Sequence, residues 1–305
     1  APLTEEMRRD LGAAAFVPEQ VSGYASQTHI AESCKQLWES NAVQSLAALP
    51  LVQQAWASVQ KHPAYVGFIQ ATKTEPVLVQ LLPVLEDAVT SEIFVATGPE
   101  LPGFIEAFGR VSSAMRMMWF QAALGGLQME RRGPSGVEIV DAVVADEKSL
   151  QVPSVLFGFK LAGPDAAAKF LDDWVPKIGP TPVGLVQKKS VNGSAVYVLE
   201  VHGETVFRDP LRTIERDMAR GGVPADKARR FAGWLAGLQV KLAIGVRGDY
   251  LLISLGREMT LIEQWGRGTS LARAAGLDPV RKHLKPGLRG ISYSSARMAQ
   301  VVLPS

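Results

Sequence analysis

Apolar and polar residues follow two different periods along this chain, and the period changes several times. Short apolar runs bounded by turn residues predict buried strands, whereas apolar residues three or four positions apart predict helices. The clearest unit lies within residues 152–201, where a strand, a helix and a hairpin follow one another. It consists of the strand Val155–Leu161, a helix from Gly163-Pro164-Asp165 through Trp174, and the strands Val183–Val191 and Ala195–Val201 joined at Asn192-Gly193.

The first ninety residues are predicted to form mostly short helices. Apolar residues at helical spacing occur there in segments that proline interrupts, because proline cannot continue a helix. Within these segments Leu37, Trp38 and Trp56 are expected to face inward as anchors. The predicted helices are Ala31–Glu39, Leu51–Val59, Ala64–Ala71 and Glu75–Val89.

One long helix and several further strands complete the pattern. The helix predicted at Leu101–Met129 is apolar around most of its circumference, which is typical of a helix at the centre of a core. Its methionine-rich part is therefore expected to be buried, with an adaptable binding patch as the alternative. That part contains Met115, Met117, Met118, Trp119 and Phe120. The further strands are Val21–Gln27, Glu92–Thr97, Val137–Val144, Val240–Val246, Tyr250–Leu255 and Gly290–Ser295, the last with no closing element after it.

This order of elements predicts an α+β fold. Hairpins and strands flanked by helices, without strict alternation, favour an antiparallel or mixed sheet with helices packed mainly on one face and a helix-rich N-terminal third. Residues 1–305 are expected to form one large domain, or two coupled halves, 1–150 and 151–305. A weak internal repeat relates Ser91–Glu100 to Ser154–Asp165, each an apolar strand followed by Gly-Pro-acid and a helix. Duplication and ordinary strand-to-helix turn chemistry both account for it.

Composition excludes several classes of protein. The chain has 305 residues, 47% of them hydrophobic, and a net charge of +2, so it is globular and nucleic acid is not an expected partner. Its single cysteine, Cys34, permits no internal disulfide, and no apolar run reaches the length of a membrane span. The first residues, Ala1-Pro2-Leu3, suit either the mature end left by signal-peptide cleavage or a trimmed chain.

Motifs for chemistry are missing from the sequence. The four histidines, His29, His62, His202 and His283, have no metal-ligand spacing, and the nucleophile elbow G-x-S-x-G is absent. Two short motifs have simpler interpretations as loops. Arg247-Gly248-Asp249 is predicted to be a hairpin turn, and Gly266-Arg267-Gly268 a plain connector rather than a nucleotide loop. No catalytic, cofactor-binding or metal-binding residue is assigned, and no cofactor is expected.

A basic stripe is the one candidate interaction surface. Arginines recur every four residues on the helix predicted after Asp209-Pro210, which places them along one side of it. They are Arg208, Arg212, Arg216 and Arg220. Such a stripe can hold an anionic polymer or lipid headgroups, although nearby acidic residues favour a solvated, salt-bridged face.

Several short segments also resemble a known family. They are Phe16-Val17-Pro18, Ser91–Ala96, Val152–Leu156, Gly248–Gly256 and Gly268–Ala272. In these segments the chain is similar to a family of uncharacterised exported bacterial proteins that is typical of planctomycetes. The resemblance implies export, often within longer polypeptides, and implies no activity, cofactor or catalytic residue.

Three hypotheses about function follow. The first is a non-enzymatic exported structural or binding protein of the periplasm or cell envelope, whose partner is an envelope protein, a polysaccharide or a second copy of itself. The second is a hydrolase-type enzyme whose site is built from scattered polar residues and needs a pocket with a perturbed acid or base. The third is a carrier of an apolar ligand between the sheet and the methionine-rich helix.

Overall fold

The computed structural model describes residues 11–125, 136–179, 181, 184–282 and 288–302; of residues 118–125 and 282 it describes the backbone alone. Eight strands form one antiparallel sheet in the order β4-β5-β6-β7-β3-β2-β1-β8. The strands are β1 Gly23–Thr28, β2 Glu92–Thr97, β3 Val155–Lys160, β4 Val186–Val191, β5 Ser194–His202, β6 Gln239–Arg247, β7 Tyr250–Gly256 and β8 Gly290–Ser294.

Helices fill most of the remaining described chain. The helices are α1 Ile30–Trp38, α2 Asn41–Ala47, α3 Pro50–Lys61, α4 Pro63–Thr74, α5 Pro76–Ala88, α6 Leu101–Gly125, α7 Val137–Ala145, α8 Pro164–Trp174, α9 Gly203–Val206, α10 Arg208–Arg220, α11 Ala225–Ala236, α12 Thr260–Glu263, α13 Asp278–Lys282 and α14 Ala296–Val302. Four short 3-10 turns lie at Gly12–Ala15, Val175–Ile178, Leu271–Arg273 and Ala275–Leu277. The α+β class and the helix-rich N-terminal third are therefore confirmed.

The largest core lies on one face of the sheet. Phe94, Leu156 and Leu252 project from three neighbouring strands into this core and are almost completely buried. Residues 11–17 and 259–277 cover them with short turns and helices rather than with long ones. This cover leaves an opening at one end of the sheet, where the candidate site lies.

The opposite face carries longer helices. Ala88 of α5 and Leu171 of α8 pack against Tyr197 and Leu251 of the sheet. A further layer joins α6, α7, α10 and α11 through two small apolar clusters. Helices thus pack mainly on one face, as the sequence predicts.

Both predicted hairpins are present. Asn192 and Gly193 have φ of 54° and 84°, the paired positive values of a type I′ turn, and they join β4 to β5. Arg247-Gly248-Asp249 joins β6 to β7, with Arg247 paired to Tyr250. Because both turns are specified by local residues, their positions follow directly from the sequence.

The strand predicted at Val137–Val144 is wrong, because these residues form helix α7. Val140, Val143 and Val144 are its buried side chains, which is i, i+3 and i+4 spacing. The run is apolar on nearly every side, so its sequence fits a buried strand as well as a buried helix. Packing against α6 and α11 decides in favour of the helix.

The inward anchors predicted in the first ninety residues are also wrong. Leu37, Trp38 and Trp56 each expose more than half of their surface. On α6, Met115 and Met117 are exposed as well, against the expectation of a buried core, whereas the side chains of Met118, Trp119 and Phe120 lie outside the described part. Helical spacing correctly predicts that a helix has an apolar face. It does not predict whether another part of the same chain packs against that face.

The end of the chain also differs from expectation, because helix α14 follows the last strand. The two copies of the weak repeat lie on adjacent antiparallel strands, with Ile93 opposite Phe159. Their turns are not equivalent, since one helix begins at Leu101, after the Gly-Pro-acid sequence, and the other begins at its proline, Pro164. Duplication therefore stays a prediction, and so does the division into halves 1–150 and 151–305.

Candidate functional site

A row of polar side chains crosses one end of the sheet. Lys160 of β3 pairs with Tyr250 of β7, and Tyr250 pairs with Arg247 of β6. The Tyr250 hydroxyl donates to the carboxylate of Glu92 on β2 at 2.7 Å. Directly opposed residues of antiparallel strands project from the same face. Four functional side chains from four strands are therefore brought together at the rim of the largest core.

A cleft of about 640 Å³ opens above this row. It lies between the β6–β7 turn and the loop around Gly266. Its charged lining residues are Lys160, Arg247, Asp249 and Arg267, and its aromatic ones are Phe16, Tyr250 and Trp265. Asn192 and Ser194 of the β4–β5 turn complete the polar part of the wall. Two hairpin turns and two loop segments thus meet around one space.

The aromatic side of the cleft is rigidly packed. Phe16 stacks on Trp265 with ring centroids 5.4 Å apart, and Tyr250 meets Trp265 edge-on at 5.1 Å. Trp265 also stacks on Phe94 of the core at 5.3 Å. This packing anchors the wall to the sheet, and Phe16, at 37% exposed, is the ring that the wall presents to the cleft, since Tyr250 and Trp265 are each 4% exposed.

Arg247 is the most unusual charge in the cleft. Only 9% of the residue is exposed, and its Nη1 donates to the carbonyl of Ile262. Burial lowers the pKa of this guanidinium, and the nearby positive charge of Arg267 lowers it further. Within the described chain neither arginine forms an ion pair with a carboxylate. Two neighbouring cations, one of them largely desolvated, therefore lack a close protein counter-ion among the described residues.

Arg267 is held beside the cleft by its glycine neighbours. Gly266 and Gly268 have φ of 71° and 66°, so the loop turns sharply on each side of the arginine. The Gly266 amide donates to the carbonyl of Phe16 at 2.8 Å, which ties this loop to the aromatic wall. The side chain of Arg267 itself stays exposed.

Glu92 lies beneath the cleft, where burial and hydrogen bonds give it a structural role. It is 3% exposed and accepts hydrogen bonds from the Ala13 amide, at 2.9 Å, and from Tyr250. Burial raises the pKa of this carboxyl, while the two hydrogen bonds and the charge of Lys160 act in the opposite direction. Glu92 therefore fastens the turn at Gly12–Ala15 to the sheet and partly offsets the charge of Lys160.

The site has the chemistry of an anion receptor. Three cations and one carboxylate line it, next to an aromatic wall. None of the described histidines lines it, since His29, His62 and His202 are exposed elsewhere, and His283 lies outside the described residues. Across the described residues no group of His, Cys, Asp or Glu is arranged to hold a metal ion.

The predicted arginine stripe lies on α10 and does not take part in this cleft. All four arginines, Arg208, Arg212, Arg216 and Arg220, are exposed. Asp209 lies 3.6 Å from Arg212, and Asp217 lies 3.7 Å from Arg216 and 3.6 Å from Arg220. Acidic residues of the same helix therefore lie close to three of the four arginines. The role of the stripe as an interaction surface stays a prediction.

Sequence reasoning missed the cleft although it located both of its main loops. Arg247-Gly248-Asp249 is a hairpin turn and Gly266–Gly268 is a connector, as predicted. Each of them places an arginine at the same opening. The signal available in the sequence was an arginine inside each of two glycine-containing turns. That these two arginines lie at one cleft becomes visible only when the pairing of distant strands is known.

Comparisons with protein-family models, with curated proteins and with solved structures find no match to this chain. In the part of the chain that the structure describes, no helix combines the length and apolar character needed to cross a bilayer.

Proposed function

We propose that this protein is a non-enzymatic binding protein that takes a small organic anion in the cleft beside Arg247 and Arg267. The observation that carries the proposal is the placement of two neighbouring arginines, one of them 9% exposed, without an ion-paired carboxylate among the described residues. A buried charge is costly unless it is paired, so an anion bound here gains from both guanidinium groups.

The lining indicates the class of ligand. Arginine binds carboxylate and phosphate groups through paired N–H donors, and either group suits this site. The exposed ring of Phe16, backed by Tyr250 and Trp265, favours a flat or apolar portion next to the charged group. The volume, about 640 Å³, is in the range of roughly 300–1,000 Å³ that is typical of small-molecule sites.

Binding is better supported than hydrolysis at this site. An enzyme of that type needs a base within reach of a nucleophile and of the substrate. The carboxyl near the cleft whose pKa is raised, Glu92, is almost completely buried and already accepts hydrogen bonds from a backbone amide and Tyr250. At this cleft a purely apolar ligand is disfavoured by the three cations at the opening, and a carrier site between the sheet and the methionine-rich helix stays a prediction.

The proposal places this binding protein in the bacterial periplasm or cell envelope. Support comes from the resemblance to exported proteins. Fractionation of the producing cells tests the location. Recovery of the native protein only from the cytosol would remove the support for export.

Calorimetric titration with matched probes tests the binding site. Phenyl phosphate and benzoate carry the expected groups on a flat ring, and benzyl alcohol carries the ring without a charge. We expect the two anions to bind and the alcohol not to bind. Arg267→Gln should weaken anion binding by about tenfold or more, because it removes charge-assisted hydrogen bonds. Arg267 is exposed, so this change should leave the fold intact.

Arg273→Gln is the matched control, since Arg273 is also exposed but does not line the cleft. It should bind both anions as the unaltered protein does. Two results would contradict the proposal. One is that neither anion binds the unaltered chain at millimolar concentration, and the other is that the two arginine variants lose affinity equally.

A further inference from the structure

Helices α1–α4, here named the helical arm, form a segment whose side chains are almost all accessible to solvent. The arm spans Ile30–Thr74 between β1 and β2, and none of its four helices contains a buried residue. The next helix, α5, differs because Val84 and Ala88 are buried against the sheet region. The arm therefore folds from local helical turns with little support from the core.

Large apolar side chains cover the arm's surface. Leu51 is 77% exposed, Trp38 66%, Phe68 55% and Trp56 54%. An aromatic side chain presents about 150–250 Å² when fully exposed, so the three aromatic residues alone present about 250–400 Å². Each partner in a standard protein interface contributes about 800 Å². With the exposed leucines and valines, the arm presents apolar area of that order. The exposed aliphatic residues are Leu37, Leu46, Leu49, Leu51, Val59 and Val66.

The middle of the arm also lacks charge. Between Ser40 and Gln60 the sequence contains no Asp, Glu, Lys or Arg, and its polar residues are Gln, Asn and Ser. Depletion of charge together with exposed Trp, Phe and Leu is the composition of an interface core. A helix that lies on an anionic lipid surface typically carries Lys and Arg on its polar face, and this stretch has none.

We infer that the helical arm is a self-association surface on which a second copy of this chain packs. Gln, Asn and Ser side chains each carry both a donor and an acceptor, so an uncharged surface built from them can pair with an identical surface. A copy meets no like-charge repulsion over residues 40–60. A two-fold interface requires this self-complementarity, because the same patch lies on both sides.

The test uses the full chain and its molar mass in solution. Sedimentation and light scattering over a range of concentrations should give twice the mass of the chain. Trp38→Glu and Leu51→Glu should each produce a monomer, because two copies would then bury unpaired carboxylates. Ile178→Glu is the matched control, since Ile178 is 59% exposed outside the arm, and it should stay dimeric.

Cys34 supplies a readout that needs no substitution. It is the only cysteine of the chain, it is exposed, and it lies on α1 close to Leu37 and Trp38. A spin label attached to Cys34 should report a dipolar distance between two copies in the unaltered protein. The same label in Leu51→Glu should report none.

The helical arm does not line the cleft, so dimer formation and anion binding are tested by separate measurements. A monomeric unaltered chain at high concentration, or a dimer that persists in both arm variants, would overturn the self-association inference. Loss of the dimer in Ile178→Glu would place the interface elsewhere. Flotation of a monomeric chain with vesicles of phosphatidylglycerol and phosphatidylethanolamine would assign the arm to a lipid surface instead.

Discussion

At the scale of single residues, packing in the central sheet depends on a glycine, Gly158, which has no side chain. Phe94 on β2 lies opposite Gly158 on β3, and its ring covers the glycine. A Cβ atom at Gly158 would lie 1.9 Å from the ring carbon Cε1. The ring cannot move aside freely, because Phe94 is 1% exposed and stacks on Trp265. The aromatic wall of the cleft is thereby coupled to a position in the middle of the sheet.

Gly158→Ala should lower the free energy of unfolding by about 3 kcal/mol, the upper part of the usual range for overpacking a core. Urea denaturation measures it. Gly109→Ala is the control, because Gly109 is exposed on α6 and its added Cβ would meet nothing within 4 Å. That change should raise stability by about 1 kcal/mol through helix propensity. Equal effects of the two changes would contradict the packing described at Phe94.

Glu92 gives the protein a stability that depends on pH. Burial raises the pKa of its carboxyl above the ordinary value of 4.5. The folded protein therefore binds this proton more tightly than the unfolded chain does. The stability from this group is fully present below pH 4.5, and it is lost as the pH rises through the folded-state pKa. Glu200 behaves in the opposite way, since its bond to Lys189, at 2.6 Å, lowers its pKa.

Glu92→Gln should remove the decline in unfolding free energy that Glu92 is expected to contribute between pH 4.5 and neutrality. Glutamine is neutral at every pH, so the proton difference between folded and unfolded states disappears. Denaturation series at several pH values measure the slope. Glu200→Gln is the control: the lowered pKa of Glu200 acts below pH 4.5, so this change should leave the slope between pH 4.5 and neutrality unaltered. If the slope is the same in Glu92→Gln and the unaltered chain, Glu92 is not the group responsible.

At the scale of elements, helix α5 carries a proline in its interior. Pro83 has no amide hydrogen, so the carbonyl of Val79 lacks its usual helical donor. The helix nevertheless continues through Ala88, where Val84 and Ala88 pack into the core. Tertiary packing therefore outweighs a local helix-breaking residue in the element that joins the helical arm to the sheet.

Pro83→Ala should raise the free energy of unfolding by about 1–3 kcal/mol, because it restores the missing hydrogen bond and removes the ring clash. Pro76→Ala is the control, since Pro76 stands in the first turn, where the amide has no intrahelical acceptor. That change should stay within about 0.5 kcal/mol. A destabilised Pro83→Ala protein would mean that α5 requires its proline geometry.

Elements whose geometry is set by neighbouring residues could be predicted from the sequence. The hairpin at Asn192-Gly193 is an example, because positive φ at both positions is a local property. Helix α7 could not be predicted, because Val137–Val144 is apolar on nearly all sides and only α6 and α11 decide its form. The prediction that Trp38 faces inward is wrong for a related reason. Helical spacing identifies an apolar face, but it does not show which part of the protein, if any, covers that face.

The candidate site could be predicted only in its parts. The α10 arginines are visible because their spacing lies within one helix. Lys160, Arg247 and Arg267 come from a strand end, a hairpin and a loop that are far apart in sequence. Lys160 meets the β6–β7 hairpin because β3 pairs with β7, and the Gly266 amide ties the loop of Arg267 to Phe16; these long-range contacts are set by the whole core rather than by local residues.

At the scale of the whole molecule, the sheet has two edges of different character. One edge is β4, where Lys188 and Lys189 discourage pairing with another sheet. The other edge is β8, a strand of five residues that pairs with β1. Neither edge offers a long apolar strand, so among the described residues the sheet edges are less suited to self-association than the helical arm.

The pairing of β1 with β8 has a consequence for how the protein is made. The Thr28 hydroxyl donates to the carbonyl of Leu288, a contact between residues 260 positions apart. Contacts of such long range form slowly, because much chain entropy is lost before they are gained. Strand β1 thus leaves the ribosome long before its partner β8 is made. Until β8 has been made, the nascent polypeptide keeps an unfinished sheet, and chaperones have that interval in which to engage it.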